Sequence, residues 1–178
     1  SPCTPAQATL TIQVTAAPNA GVDGNLAMCS TSGLSPMFPY LTGGPQTGGT
    51  WSFNGTSHGS SFDPAMDLPG LYAYAVQGTG GCMNDTAWVT VMMNQAPDAG
   101  SNGVLVLCDD TLAAIVLRQV LGGNPDVGGS WTNSGTGLPA SDIYLPTNFG
   151  AGVHSFTYTV QGQSPCPAAT AQATLLQN

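Results

Sequence analysis

A glycine-rich stretch that ends in tryptophan occurs twice in this chain and constrains its fold more than any other feature. The copies are GGPQTGGTW at residues 43–51 and GGNPDVGGSW at residues 122–131. In each copy two glycine pairs bracket a turn, and the tryptophan follows directly. Ordering a large side chain after so flexible a loop is costly unless the side chain packs in a core. We therefore predict that Trp51 and Trp131 each anchor the core of a small β-sandwich.

The surrounding sequence repeats with nearly the same spacing. The segments APNAG and APDAG lie 79 residues apart, as do Cys29 and Cys108. LYAYAVQG and FTYTVQG align at a spacing of 84 residues, which places Tyr74 opposite Tyr158 as further core anchors. Short segments of strand-forming residues, separated by glycine and proline, are typical of an all-β sandwich. The sequence thus predicts tandem all-β repeats of roughly 80 residues.

Residues 1–16 match only the end of a repeat. SPCTPAQATLTIQV corresponds to SPCPAATAQATLL, and ATLTIQVT alternates apolar and polar side chains as a half-buried strand does. We expect this segment to be the last strand of a preceding repeat, or a strand donated to another subunit. Full repeats are then expected at 17–94 and 95–178. A start in mid-repeat is typical of a piece of a longer array or of a strand-donating subunit.

Five strands are predicted in each repeat. They lie near residues 25–29, 34–41, 50–54, 70–77 and 86–93, and near 103–108, 112–121, 129–133, 153–160 and 169–176. LSPMFPYL carries Pro36 and Pro39, so it can form only an edge or irregular strand. Its counterpart LAAIVLRQVL is compatible with a strand or with one or two helical turns.

Charge and chemistry exclude several functions. Only 6% of the residues are charged, the net charge is −8, and Arg118 is the single lysine or arginine. Nucleic-acid binding and a basic membrane-surface patch both need clustered cations, and no apolar run is long enough to insert in a membrane. The chain has no glutamate, no G-x-S-x-G motif, and two histidines, His58 and His154, at non-equivalent positions. We therefore expect neither an enzyme nor a cofactor.

The five cysteines lack metal-type spacing, so we expect disulfides formed in an oxidising compartment. Each full repeat has one cysteine before its tryptophan and one after its tyrosine-rich strand. The predicted bonds are Cys29–Cys82 and Cys108–Cys166. Cys3 is left unpaired, with a partner in a preceding repeat or a neighbouring subunit.

APxAGxxG, a cysteine, GGxxxxGG[ST]W, and the FDPAMDLPGLYAYAVQG and CMNDTAWVTV segments together resemble the immunoglobulin-like repeats of giant surface proteins of Bacteroidota. Gliding-motility adhesins and other proteins of the type IX secretion route belong to that group. The resemblance covers essentially the whole chain, although ASDIYLPTNFGAGVHS in the second repeat departs from it. It implies a secreted or surface-attached fibre segment at the bacterial surface, without catalysis, whose partners are neighbouring repeats or identical subunits.

The same resemblance implies O-glycosylation of threonine after aspartate. Asp85-Thr86-Ala87 and Asp110-Thr111-Leu112 match that pattern, so Thr86 and Thr111 are candidate sites. Sugars would help to solubilise a surface with few charges.

Three further expectations concern binding. Acidic residues near the repeat junctions are weak calcium candidates or simply turn formers: Asp23, Asp98, Asp109 and Asp110. Trp88 has no counterpart in the second repeat, so it is a candidate interface residue. Besides a structural repeat, two functions stay open: a filament subunit that donates residues 1–16, and a carbohydrate-binding module that binds surface glycans.

Overall fold

A computed structural model describes residues 2, 3, 5–108 and 113–178, and their fold is all-β, as the sequence predicted. The strands before residue 95 are β1 (Gly24–Cys29), β2 (Ser35–Pro36), β3 (Thr50–Phe53), β4 (Thr56–His58), β5 (Ser61–Phe62), β6 (Gly70–Val76) and β7 (Asp85–Asn94). The later strands are β8 (Gly103–Leu107), β9 (Ile115–Val116), β10 (Ser130–Asn133), β11 (Pro139–Ala140), β12 (Ile143–Tyr144), β13 (Gly152–Val160) and β14 (Ala169–Gln177).

The two large sheets have the same strand order. The first runs β1-β7-β6-β3-β4 and the second runs β8-β14-β13-β10-β11. The tryptophan-bearing strands β3 and β10 pair antiparallel with the tyrosine-bearing strands β6 and β13. These in turn pair antiparallel with the last strand of each repeat, β7 or β14. In the second sheet, β8 lies parallel to β14 at the edge. This shared order confirms the tandem repeat.

A small two-stranded sheet faces each large sheet. β2 pairs with β5, and β9 pairs with β12. Phe62 of β5 meets Tyr72 of β6 edge to face, with ring centroids 5.7 Å apart. Tyr144 of β12 meets Phe156 of β13 in the same way at 5.8 Å. The aromatic pairs fill the space between the two layers, so each repeat is a sandwich.

The segments LSPMFPYL and LAAIVLRQVL become equivalent structures despite their different sequences. Each forms a two-residue strand followed by a 3₁₀ turn, at Phe38–Tyr40 in the first repeat and Leu117–Gln119 in the second. Pro39 lies in the first turn of its helix, where a missing N–H costs nothing. The expected strand at 34–41 is therefore mostly a turn, and the second segment adopts the helical alternative after its short strand.

The chain divides into two compact units. One comprises Ser1–Leu26, Ser35–Phe62 and Pro69–Val91, and the other comprises Ala27–Leu34, Asp63–Leu68 and Met92–Asn178. The core of the second unit is built from these buried residues: Ala99, Leu107, Leu117, Leu121, Trp131, Tyr144, Phe156, Tyr158, Val160, Ala171, Ala173 and Leu175. Repeat boundaries at 16/17 and 94/95 stay predictions.

The described part of residues 1–16 does not form the strand that its alternation predicted. Leu10, Ile12 and Val14 are 84%, 77% and 88% exposed. The physical reason is that β7 and β14 already occupy the position of the last strand in their own sheets. A third copy of that strand therefore finds its equivalent position filled in both large sheets.

Candidate functional site

The glycine-rich loops are closed by a tyrosine hydroxyl in both repeats. The Tyr74 hydroxyl donates to the carbonyl of Gln46 at 2.7 Å and accepts the N–H of Gly49 at 2.8 Å. In the second repeat, Tyr158 donates to the carbonyl of Asp126 at 2.7 Å and accepts the N–H of Gly129 at 2.9 Å. Each phenol thus satisfies two backbone groups of its loop.

The last glycine of the motif is required by the same tyrosine. A Cβ added to Gly49 would lie 2.6 Å from Cζ of Tyr74, and one added to Gly129 would lie 2.5 Å from Cζ of Tyr158. Both distances are shorter than any normal carbon contact, so only glycine allows the ring to lie against the backbone.

The two tryptophans pack on these tyrosine rings. Trp51 lies 5.0 Å from Tyr74, and Trp131 lies 4.8 Å from Tyr158, between ring centroids. The tryptophans are 6% and 5% exposed. The motif is therefore a device for packing and loop closure, and neither tryptophan offers an open face to a sugar ring.

The described candidate calcium ligands are already engaged with backbone N–H groups. The Asp98 carboxylate accepts the N–H of Gly100 at 2.7 Å, which is an Asx turn. Asp23 accepts the N–H of Trp88 at 2.8 Å. Asp109 and Asp110 lie outside the described residues. Within the described part of the chain, no group of three or more His, Cys, Asp or Glu side chains is placed to hold a metal ion.

The cysteine pairing differs from the prediction. Cys29 is bonded to Cys166, with Cα atoms 4.8 Å apart, so neither Cys29–Cys82 nor Cys108–Cys166 forms. The remaining cysteines are free: Cys3 and Cys108 are exposed, and Cys82 is partly buried. The bonded residues belong to different sequence repeats but to the same compact unit.

The surroundings of Asn94 explain this pairing. Ser30, directly after Cys29, donates its N–H to the carbonyl of Asn94 at 2.9 Å. The sulfur of Cys166 lies 3.3 Å from that same carbonyl oxygen. The Asn94 side chain also donates to the carbonyl of Ser164 at 2.7 Å. Both cysteines are thus held at the residue that ends β7, and the prediction failed because it assumed that each bond closes within one repeat.

The candidate interface residue Trp88 lies on the outer face of β7 and is 43% exposed. Trp88 pairs with Ala73 of β6. Leu71, two residues before Ala73 on the same strand, pairs with Thr90 and is 54% exposed. Thr86 is exposed on the same outer face, two residues before Trp88. The other candidate glycosylation site, Thr111, lies outside the described residues.

An open cleft of 490 Å³ lies beside the second glycine-rich loop. Arg118, Ser130, Trp131 and Asp142 are among the residues that line it. The histidines lie elsewhere, in aromatic surroundings: His58 contacts Tyr72 and His154 contacts Phe149. None of the described helices is long and apolar enough to cross a membrane.

No protein-family model matches this chain, and no curated protein matches it. Several solved structures of tandem immunoglobulin domains are similar at low identity. A three-domain titin segment has a TM-score of 0.47 at 10% identity and an I-band titin fragment has 0.46 at 11%, each match covering 92% of this chain and 66% of that one. Immunoglobulin domains 1–5 of Sidekick-1 have a TM-score of 0.45 at 10% identity, covering 93% of this chain. The chain spans 40% of the length of that Sidekick-1 segment. Likeness at this level carries no functional argument, and the fold class rests on the strand order described above.

Proposed function

We propose that this chain is a non-enzymatic structural segment of an extracellular bacterial surface adhesin or fibre, which spaces or displays a binding tip. The residues that recur between the repeats support this role, because they serve packing and turn closure. Trp131, Tyr158 and Gly129 form one such group. A spacer needs stable, similar units in series, which is what tandem β-sandwich repeats supply.

The Cys29–Cys166 bond is the observation that carries the proposal. Disulfides persist in oxidising compartments and are rare in the cytosol of mesophiles, which supports an extracellular location. The bonded residues are 137 positions apart. A pull on the two ends of the chain therefore passes through the bond, and the residues between the two cysteines cannot be extended while it is intact.

Surface labelling tests the location. The chain has no lysine, so amine-reactive reagents are unsuitable and an antibody raised against the folded chain is the better probe. The proposal expects labelling of intact source cells, equal to that seen after permeabilisation. An antibody to a cytosolic protein is the matched control, since it should label only permeabilised cells. Labelling that depends on permeabilisation would refute the extracellular role.

O-glycosylation at Thr86 is proposed as part of this surface role. Thr86 follows Asp85, whose carboxylate accepts the N–H groups of Ala20 at 2.7 Å and Thr86 at 3.0 Å, while the threonine itself is exposed. This chain, expressed and secreted by its source cells, should then be heavier than the 17.9 kDa of its bare sequence. Thr86→Ala should remove one glycan mass, and Thr90→Ala, on the same strand but not preceded by aspartate, should remove none. A native mass equal to the bare sequence contradicts the modification.

A second candidate function is a filament subunit that donates residues 1–16 to a neighbour. The exposed apolar row of Leu10, Ile12 and Val14 favours it. With Cys3 aligned on Cys82, Leu10 and Ile12 fall on core positions of β7, where the equivalent valines are 0% and 2% exposed. A strand of this kind is stabilised by adding to another sheet.

Sedimentation of paired variants tests strand donation. The unmodified chain should form large assemblies, Ile12→Lys should stay monomeric, and Thr11→Lys should assemble because residue 11 lies on the polar side of the alternation. Equal sedimentation of the unmodified chain and Ile12→Lys contradicts strand donation. That result leaves the structural proposal intact, because a spacer segment need not assemble alone.

A further inference from the structure

We propose that Cys108 of one copy of this chain forms a disulfide with Cys82 of a second copy. The bond would have the same geometry as the Cys29–Cys166 bond within one chain. The bond would join the end of β8 in one copy to the loop after β6 in the next. The inference goes beyond the proposed function, because it rests on the internal equivalence of the cysteines and assigns a partner, a second copy of this chain. Four observations support it.

The first is the turn that presents the cysteine. The N–H of Cys82 donates to the carbonyl of Thr79 at 3.1 Å. The N–H of Cys166 donates to the carbonyl of Gln163 at 2.8 Å. Both pairs are equivalent at the 84-residue spacing. The free cysteine is thus held in the same turn as the bonded one.

The second observation is the glycine that packs on this turn. A Cβ added to Gly78 would lie 2.1 Å from the carbonyl oxygen of Cys82, and one added to Gly162 would lie 2.3 Å from that of Cys166. The loop therefore folds back on itself at the same place in both repeats. Only glycine leaves room for that close approach.

The third observation is the position of the sulfur. Cys166 Sγ lies 3.3 Å from the carbonyl oxygen of Asn94, and Cys82 Sγ lies 3.8 Å from that of Thr15. Thr15 and Asn94 are themselves equivalent at the 79-residue spacing. The Asn94 carbonyl is where the residue after Cys29 also binds. Cys82 is accordingly placed where a cysteine equivalent to Cys29 would meet it.

The fourth observation is that the chain carries such a cysteine. Cys29 ends β1, an edge strand, and Cys108 directly follows β8, the edge strand at the same position of the other sheet. Cys108 is exposed and free. It has the equivalent location to Cys29, and the loop cysteine of its own repeat, Cys166, is already bonded to Cys29.

The order of the halves determines how copies would join. In the bond that forms, the edge-strand cysteine comes from the earlier repeat and the loop cysteine from the later one. Cys108 lies in the later repeat and Cys82 in the earlier one, so the same relation requires Cys108 of one copy and Cys82 of another. A head-to-tail contact of this kind leaves one free cysteine at each end of a dimer, so further copies can add to it.

The chemistry is an oxidation by a small-molecule disulfide. A thiolate of Cys82 or Cys108 attacks oxidised glutathione, breaks its S–S bond and releases one reduced glutathione. The second cysteine then displaces the remaining glutathione from the mixed disulfide. Two thiols are oxidised to one disulfide, and one glutathione disulfide is reduced to two thiols, which balances electrons and protons.

Complementation between variants tests the proposal. All proteins carry Cys3→Ser to remove an exposed thiol, and all are incubated at high concentration with oxidised and reduced glutathione. The parent should form a ladder of covalent multimers. Cys82→Ser alone and Cys108→Ser alone should each give at least tenfold less covalent dimer. An equimolar mixture of these two variants should form dimers only, because one supplies Cys108 and the other supplies Cys82.

Peptide mapping decides the outcome. The dimer band should contain the Cys82 peptide linked to the Cys108 peptide, and every protein should retain the Cys29–Cys166 peptide as a check of folding. Three results overturn the proposal: no covalent dimer in the parent, dimers in either single variant at the parent's level, or links of Cys82 to Cys82 or of Cys108 to Cys108 in place of the mixed pair.

Discussion

Removing the Cys29–Cys166 bond should destabilise the chain strongly. The bond closes a loop of 137 positions, and the chain-entropy model then assigns it roughly 5 kcal/mol of unfolding free energy. Each kcal/mol corresponds to about 2–4 °C in melting temperature for a chain of this size, so Cys29→Ser/Cys166→Ser should lower the melting temperature by about 10–20 °C. The chain has few charges to compensate, since only 6% of its residues are charged.

Calorimetry and urea denaturation measure this loss, and the chain itself offers the control. Cys82→Ser/Cys108→Ser changes the same residue types at positions that are free in the monomer. It should shift the unfolding free energy by less than about 0.5 kcal/mol, as ordinary surface substitutions do. The measurements are made at low protein concentration, so that bonds between copies do not contribute.

Equal unfolding free energies for the two double variants would show that the Cys29–Cys166 bond does not stabilise the chain. The assigned pairing is refuted if the oxidised parent yields peptides that link Cys29 to Cys82 and Cys108 to Cys166. In that case each bond closes within one sequence repeat, and the contacts at Asn94 do not determine the pairing.

Three smaller predictions follow from the same structure. Tyr158→Phe leaves two loop backbone groups without their hydroxyl partner and should cost about 1–3 kcal/mol by urea denaturation, whereas Tyr40→Phe, at a half-exposed position, should cost almost nothing; equal losses contradict the loop-closing role. Gly129→Ala forces a Cβ to 2.5 Å from the tyrosine ring and should cost about 1–3 kcal/mol, against less than about 0.5 kcal/mol for Gly135→Ala, whose Cβ meets only a side-chain oxygen at 3.4 Å. Burial raises the pKa of Tyr144, so the fold favours its neutral form; this contribution is complete below pH about 10 and is lost as the pH rises through the higher pKa of the folded state. Unfolding free energy measured from pH 8 to 11.5 should therefore fall less steeply in Tyr144→Phe, and identical slopes would count against it.

The repeat and its cores could be predicted from sequence because the signals are local. Glycine pairs before tryptophan mark a turn into a buried strand, and alternation marks β7 and β14. The hydroxyl that closes each loop was missed, although a signal existed. Tyr74 and Tyr158 are both tyrosine, whereas the neighbouring core position has Tyr72 in one repeat and Phe156 in the other. Because the hydroxyl is present in both repeats at Tyr74 and Tyr158 but only in one repeat at the Tyr72 position, the sequence indicates that the Tyr74 and Tyr158 hydroxyls form hydrogen bonds.

Other features depend on relations between distant segments, which spacing does not contain. The sequence shows that Cys29 is equivalent to Cys108. It does not show that the residue after β1 and Cys166 both contact the carbonyl of Asn94. The two-residue strands β5 and β12 are too short to produce a periodic pattern, and they exist because a partner strand faces them. Residues 8–15 show the reverse case: their strand pattern is clear, but β7 and β14 already fill the equivalent position in both large sheets.

Single-molecule extension measures whether one bond that joins two sequence repeats carries the force applied to the ends of this chain. The chain is held by its ends and unfolded with and without reductant. Reduction should lengthen the fully extended chain by roughly 480 Å, since 137 positions are released at about 3.5 Å each. An increase of roughly 390 Å, the value for bonds closed within each repeat, or no increase at all, would show that no disulfide joins the two repeats.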